Sequence, residues 1–224
     1  MKTIYTEKIS STNDYLKKLK KPLEDTAIIA KRQTGGRGTK GRSFICDEGG
    51  AYFSLLKLYP CQAKDSFQIM ENSALSVVKA LKAFGVSAKI KWPNDIIVNG
   101  KKICGILIEN VFEGEYVSRS VIGIGINVNN QIAGEIKDIA ISVKEVLNKE
   151  IDEKALIATV LYNLYLPLNH EEYVKNLLYI GEEVTIITNK STYKSIIEQI
   201  LPNGNAKLID GTELSSAEIT IRPL

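Results

Sequence analysis

From Phe67 to Phe84 the apolar residues Phe67, Met70, Ala74, Val77, Val78, Leu81 and Phe84 recur at spacings of mostly three and four. That period predicts one long amphipathic helix, capped at its start by Ser66 and stopped by Gly85. A shorter helix is expected after the N-cap signal Ser10-Ser11-Thr12-Asn13, with Tyr15, Leu16 and Leu19 on one face and Pro22 as its end. Short apolar runs predict strands at Thr26–Ala30, Ala51–Leu56, Ala88–Lys91, Ile96–Val98, Lys102–Glu109 and Tyr116–Val128. Asn99-Gly100 is a type I′ hairpin signal between two of them. From Ser142 to about Tyr179 the pattern is helical and broken near Pro167.

The pattern changes at Gly181. Short strands at Val184–Ile187, Ser195–Glu198, Ala206–Ile209 and Ile219–Ile221 follow, with turns at Asn203-Gly204 and Asp210-Gly211. The expected organisation is an α+β domain over residues 1–179, with a mixed, largely antiparallel sheet packed by helices. A small β-barrel over residues 180–224 completes it.

Composition narrows the function. A net charge of +3 is too mild for a dedicated nucleic-acid binder. No apolar run is long enough to cross a membrane, and the first residues lack the apolar core of a signal peptide, so a cytoplasmic protein is expected. Cys46, Cys61 and Cys104 match no zinc spacing and are expected to be reduced. With His170 as the single histidine, a zinc centre and a Ser-His triad are both disfavoured. The chemistry then falls to lysine, arginine, carboxylates and backbone dipoles.

Two clusters could carry it. Residues 33–44, Gln-Thr-Gly-Gly-Arg-Gly-Thr-Lys-Gly-Arg-Ser-Phe, combine glycines with Arg37, Lys40 and Arg42. Glycine exposes backbone N–H groups and the cations add charge, which suits a loop closing on a phosphate or carboxylate. A solvated basic loop, or a patch for single-stranded RNA, fits the same residues. Lys91-Trp92-Pro93-Asn94-Asp95 sets a flat aromatic wall beside polar groups, as in a small-molecule pocket, although a plain turn with Trp92 in the core would read alike. Gly105 and the run Gly123-Ile124-Gly125-Ile126-Asn127 interrupt two strands, which points to a groove or to a closely packed sheet.

In chain order, Ser11-Thr12-Asn13, the Gly-Arg-Gly loop, Lys-Trp-Pro-Asn-Asp, Lys102 to Glu109 and Gly-Ile-Gly-Ile-Asn together resemble the biotin protein ligases. The resemblance covers nearly the whole chain. It implies a class II synthetase-like catalytic domain and an SH3-like C-terminal domain. It also implies an enzyme that makes biotinyl-5′-AMP from biotin and Mg2+-ATP, then passes biotin to a lysine of a biotin carboxyl carrier protein domain. Carried over by position, biotin would be met by Ser11, Thr12, Asn13, Gln33, Arg37, Gly38, Thr39, Lys102 and Gly105. ATP and the adenylate would be met by Arg37, Lys40, Arg42, Phe44, Trp92, Asn94, Asn127 and Arg222, with Lys102 and Arg37 acting on the reacting groups. No metal-ligating residue is readable, because Mg2+ keeps waters and phosphate ligands.

Lipoate or octanoate chemistry on the same fold is the alternative implied by the resemblance, and a non-catalytic nucleic-acid binder using the glycine loop is the alternative of a different class. Sequence-specific DNA binding is not expected, since ten residues precede Ser11. The resemblance also admits a homodimer, since some members of that family dimerise through the main sheet. One departure stands out: the family loop commonly reads Gly-Arg-Gly-Arg, and Thr39 occupies the place of the second arginine, beside Lys40. Looser retention of the intermediate is the expected consequence.

Overall fold

The computed structural model describes every residue except Glu218, and every side chain except those of Tyr59 and Pro60. The chain runs β1 (Lys2–Ile9), α1 (Thr12–Lys17), β2 (Thr26–Gln33), β3 (Ala51–Gln62), α2 (Phe67–Ala83), β4 (Lys89–Lys91) and β5 (Asp95–Val98). It continues through β6 (Lys101–Glu113), β7 (Tyr116–Ile126), α3 (Val143–Leu147), α4 (Glu153–Asn163) and α5 (His170–Lys175). The last elements are β8 (Glu183–Thr188), β9 (Thr192–Ile200), β10 (Ala206–Leu208), β11 (Glu213–Leu214) and β12 (Ile219–Pro223).

The first seven strands form one sheet in the order β1-β2-β3-β7-β6-β5-β4. β1 and β2 are parallel and every other pair is antiparallel. This is the mixed, largely antiparallel sheet that the sequence predicts. One face is covered by the helical layer, where Leu81 and Val77 of α2 and Leu156 of α4 meet Phe53, Leu55, Ile103 and Ile124 in the main core. Each fully buried side chain of this kind contributes about 1.5–3 kcal/mol.

Strand alternation then fixes the opposite face. Successive side chains point to opposite sides, so Ser54 and Leu56 of β3 lie on the face away from α2. Register places Ser54 opposite Gly123 and Leu56 opposite Val121, while β6 sets Gly105 against Gly125 and Leu107 against Gly123. α1 covers only the Leu56 end of this face, where Leu16 packs with Ile28, Leu56 and Val121. The glycine end has no helix over it, and the loop of residues 34–45 lies there instead.

Local signals explain the element ends. Ser11 caps α1, its Oγ accepting from the backbone N–H of Asp14 at 3.3 Å. α1 stops at Lys17, well short of Pro22, and Lys21 adopts a left-handed conformation. Ser66 stands at the start of α2 but its side chain makes no capping bond; a 3-10 turn over Ala63–Asp65 leads into the helix. Gly85, at φ +86°, closes α2 as expected, and Val86 N–H returns to Leu81 O at 2.9 Å. Asn99 and Gly100 both take positive φ, as a type I′ turn requires.

Strands β8 to β12 form a second, five-stranded antiparallel sheet in the order β11-β10-β9-β8-β12, consistent with an SH3-like domain. Its core of Val184, Ile186, Ile197, Leu208 and Ile221 includes Trp92 from the first sheet's side. Trp92 Nε1 donates to Gly204 O at 3.1 Å, and the Phe67 ring sits where a Cβ on Gly204 would fall. The two sheets therefore share a core through Trp92.

Candidate functional site

The site begins with α1. Its short first turn carries Thr12 and Asn13 onto the uncovered sheet face, where both are buried. Thr12 donates through its backbone N–H and its Oγ1 to Gln33 Oε1, at 2.8 and 3.0 Å. Ser54 Oγ lies 2.7 Å from Thr12 Oγ1 and 2.6 Å from Asn13 Oδ1. Asn13 Nδ2 donates to Glu109 Oε2 at 2.9 Å and to Leu107 O at 3.4 Å. Gln33 in turn reaches Cys46 Sγ at 3.1 Å. The side chains of Thr12, Asn13, Gln33, Ser54 and Glu109, from four elements, thus fix one polar cradle and each has a partner.

Ser54 was not singled out by sequence reasoning, although a lone hydroxyl inside Ala-Tyr-Phe-Ser-Leu-Leu was its signal. Glu109 was also missed, and it organises the rim. Lys17 Nζ lies 2.8 Å from Glu109 Oε1, and Arg37 Nη2 lies 2.5 Å from Asp14 Oδ1 and 3.4 Å from Glu109 Oε2. Burial pushes the Glu109 carboxyl up, but hydrogen bonds from Lys17 and Asn13 and the Arg37 charge outweigh it and hold it below its ordinary value.

The glycine loop folds as a small hairpin over this cradle. Phe44 N–H donates to Gly36 O at 3.0 Å, and Gly38 N–H donates to Arg42 O at 2.6 Å. A Cβ on Gly36 would lie 2.4 Å from Phe44 O, so only glycine lets the two arms close. The Phe44 ring rests on the sheet glycines: a Cβ on Gly125 would come 2.8 Å from it, and one on Gly105 3.2 Å. Under and beside the ring, a cavity of about 40 Å³ is lined by Ser11, Thr12, Asn13, Gln33, Arg37 and Lys102, among others.

A second cavity, of about 370 Å³, opens on the other side of Phe44 and is closed by the C-terminal sheet. Gly38, Phe44, Asn94 and Lys102 line both cavities. Lys40, Arg42 and Lys91 add cations, and Asp95 is the carboxylate in its wall, 2.5 Å from Lys102 Nζ. Burial pulls the Lys91 ammonium below its ordinary value; the Asp95 charge opposes this, and the charges of Arg222, Lys102 and Arg42 reinforce it. A chamber with this excess of cations is suited to polyphosphate.

Most predicted site residues converge here, and two do not. Asn127 lines neither cavity; its Oδ1 accepts from Asn130 Nδ2 at 3.2 Å, fastening the turn after β7. Arg222 is exposed on β12 and lines neither cavity, although its charge bears on Lys91. Trp92 reconciles both readings offered for it, since it lines the larger cavity and is also buried in the C-terminal core. Lys91, at the head of the Lys-Trp-Pro-Asn-Asp run, takes its part from its neighbours in space, which the sequence does not show. Among the described residues there is no group of three metal-ligating side chains. The thiols Cys46 and Cys104 are buried and free, and His170 sits on Glu71, away from both cavities.

Residues 5–127 match the model of the biotin/lipoate A/B protein ligase family, which is more than half of the chain. The chain belongs to that family. Its sequence is 38% identical over 165 residues to the bifunctional ligase/repressor BirA of Bacillus subtilis, covering 70% of this chain and 51% of that protein. It is 32% identical over 124 residues to BirA of Escherichia coli, covering 54% and 38%. The chain thus spans about half the length of the first of these relatives or less. Over its full length it superposes on a biotin protein ligase from Aquifex aeolicus solved with biotin and ATP, at 29% identity and a TM-score of 0.79, covering 99% of that chain. The family match spans α1, the glycine loop, the sheet glycines and Lys102, and so covers the smaller cavity and the shared wall; the C-terminal side of the larger cavity, Ser216, Ala217 and residues 219–221, lies outside the matched residues. No described helix is long and apolar enough to cross a membrane.

Proposed function

We propose that this protein activates biotin with ATP to biotinyl-5′-AMP and transfers biotin to a lysine of a biotin carboxyl carrier domain. The observation that carries the reading is the shared wall: Lys102 lines both the polar cradle and the cationic chamber. A carboxylate held in one and a phosphate held in the other would meet at its ammonium. The likeness to the biotin- and ATP-bound Aquifex enzyme favours biotin over lipoate.

Biotin's carboxylate is ionised at neutral pH, so activation needs no general base. The obstacle is an anion attacking an anion. One carboxylate oxygen bonds to the α-phosphorus while the bond to the β-phosphate bridging oxygen breaks, and diphosphate leaves with that electron pair. Lys102, Arg42 and Lys91 offset the charge in the chamber as it redistributes. In the transfer step the neutral acceptor amine attacks the acyl carbon, AMP leaves, and the amine gives up a proton. Asp95 stands in the chamber as a candidate acceptor of that proton.

ATP-bound Mg2+ would find Asp95 as the carboxylate of the chamber wall, its other ligands being phosphate oxygens and water. When bound it neutralises phosphate charge. The ureido head of biotin would lie on Ser11, Thr12 and Asn13. Among the described residues the Ser11 hydroxyl proton has no acceptor, so it is available to a ligand carbonyl. The Phe44 ring lies against Gly105 and Gly125, so a bicyclic ring seated on those glycines would displace it. Division into a catalytic part over residues 1–179 and a barrel over 180–224 belongs to this reading. Biotin-dependent exchange of labelled diphosphate into ATP tests it: exchange with biotin and none with lipoate or octanoate is expected. Exchange with lipoate alone would move the substrate to the lipoyl branch.

A further inference from the structure

Lys40 sits at the tip of the glycine loop in a left-handed conformation, φ 55° and ψ 36°. Around it the tip is tied to itself, by Gly38 N–H to Arg42 O at 2.6 Å and Arg42 N–H to Thr39 O at 3.2 Å. The side chain crosses the edge of the larger cavity. Its ammonium donates to Ile219 O at 2.7 Å, on β12. β12 is an edge strand of the C-terminal sheet, so alternate carbonyls face away from the ladder and can take an outside donor. The cavity of about 370 Å³ lies between the two partners, with Lys40 and Ile219 both in its wall.

We infer that Lys40 is a positioning residue that latches the glycine loop to the C-terminal sheet across the mouth of the reactive chamber. This rests on the proposed function for its catalytic meaning, and on the geometry alone for the latch. The C-terminal sheet is a fixed post, because Trp92 is buried in its core and Gly204 O holds the indole N–H. The loop's other tether is the Arg37 contact with Asp14 and Glu109 at the rim. One end is thus held to α1 and β6, and the tip to β12. Closing the tip would keep water and diffusion from an acyl-adenylate while the carrier lysine is awaited. Where Thr39 lacks the cationic fork of an arginine, the neighbouring lysine holds the loop over the ligand instead of gripping it.

The test uses the full chain as Lys40→Met, which keeps the stem and removes the donor, and as Lys40→Arg, which restores a cation. Hydrogen exchange of the peptide spanning residues 36–44 in the ligand-free protein reads the latch without any activity. Release of biotinyl-5′-AMP from preloaded protein reads its consequence. Lys40→Met is expected to speed both by about tenfold, the loss of one hydrogen bond from a charged donor, with Lys40→Arg close to the native protein. Unchanged exchange in Lys40→Met would overturn the latch. Faster exchange with unchanged release would overturn its role in retention. A native protein that forms no adenylate at all would count against the proposed function, while the exchange result would still decide the latch.

Discussion

Gly123 lies against the side chain of Asn13: a Cβ there would come 2.1 Å from Asn13 Oδ1. The glycine leaves room for the amide to lie on the sheet and meet Ser54, Leu107 and Glu109 together. Gly123→Ala should therefore expel Asn13 and break the cradle, at a cost of about 1–3 kcal/mol in stability from overpacking. Biotin affinity should fall by at least about tenfold, one lost set of polar contacts. Calorimetric titration with biotin and thermal unfolding check the two effects. An Ala variant that binds biotin normally would show that Asn13 is not part of the cradle.

Ser54 is completely buried and supports both Thr12 and Asn13. Ser54→Ala leaves the buried Asn13 Oδ1 without that donor, a loss of about 1–3 kcal/mol. Ser54 does not line the smaller cavity, so KM for biotin should rise with KM for ATP unchanged. Equal rises in both would place the effect on the whole fold.

Much of this arrangement was legible in the chain. The long helix, the Asn99-Gly100 turn and the glycine loop each carry strong local signals, and the structure places them accordingly. β1 was not foreseen, because Lys-Thr-Ile-Tyr-Thr-Glu-Lys-Ile lies at the sheet edge, buries little on either face and so lacks a clear apolar period. β11 has two residues and no pattern to read. The motif residues announced most of the site. The pairings of Asn13 with Glu109, of Thr12 with Ser54 and of Lys40 with Ile219 did not appear. They join positions 96, 42 and 179 residues apart, and only the tertiary fold brings them together: the packing of α1 on the first sheet for two pairs, and the approach of the loop tip to the second sheet for the third.

Thr39 gives a second test of the loop. A guanidinium there adds a planar fork that can grip a phosphate from two nitrogens, which neither threonine nor lysine can do. Thr39→Arg should slow release of biotinyl-5′-AMP by about tenfold, the value of one charged hydrogen bond. Trapping the released intermediate over time measures it, and an unchanged rate would remove Thr39 from the account of retention.

Away from the site, Glu71 is buried on α2 with His170 Nδ1 at 3.2 Å. Burial raises its carboxyl above the ordinary 4.5, and the charge and hydrogen bond of His170 offset this only in part. The folded chain therefore keeps this proton to higher pH than the unfolded chain. Its contribution to stability is present at low pH and is lost as pH rises from 4.5 through the raised value. Glu71→Gln should be more stable than the native protein at pH 8, by about 1 kcal/mol, and similar to it near pH 4. Urea unfolding at the two pH values checks the sign. A variant less stable than the native protein at pH 8 would show that the ionised carboxylate stabilises the fold.

Lys102 sets one ammonium in the wall of both chambers. Intact-mass analysis of a biotin carboxyl carrier domain incubated with biotin, Mg2+-ATP and either the native protein or Lys102→Ala tests it directly. One added biotin is expected with the native protein, and a loss of at least about a hundredfold in rate with the variant, as for removal of a group that stabilises transition-state charge. Full biotinylation by Lys102→Ala, or none by the native protein, would contradict it.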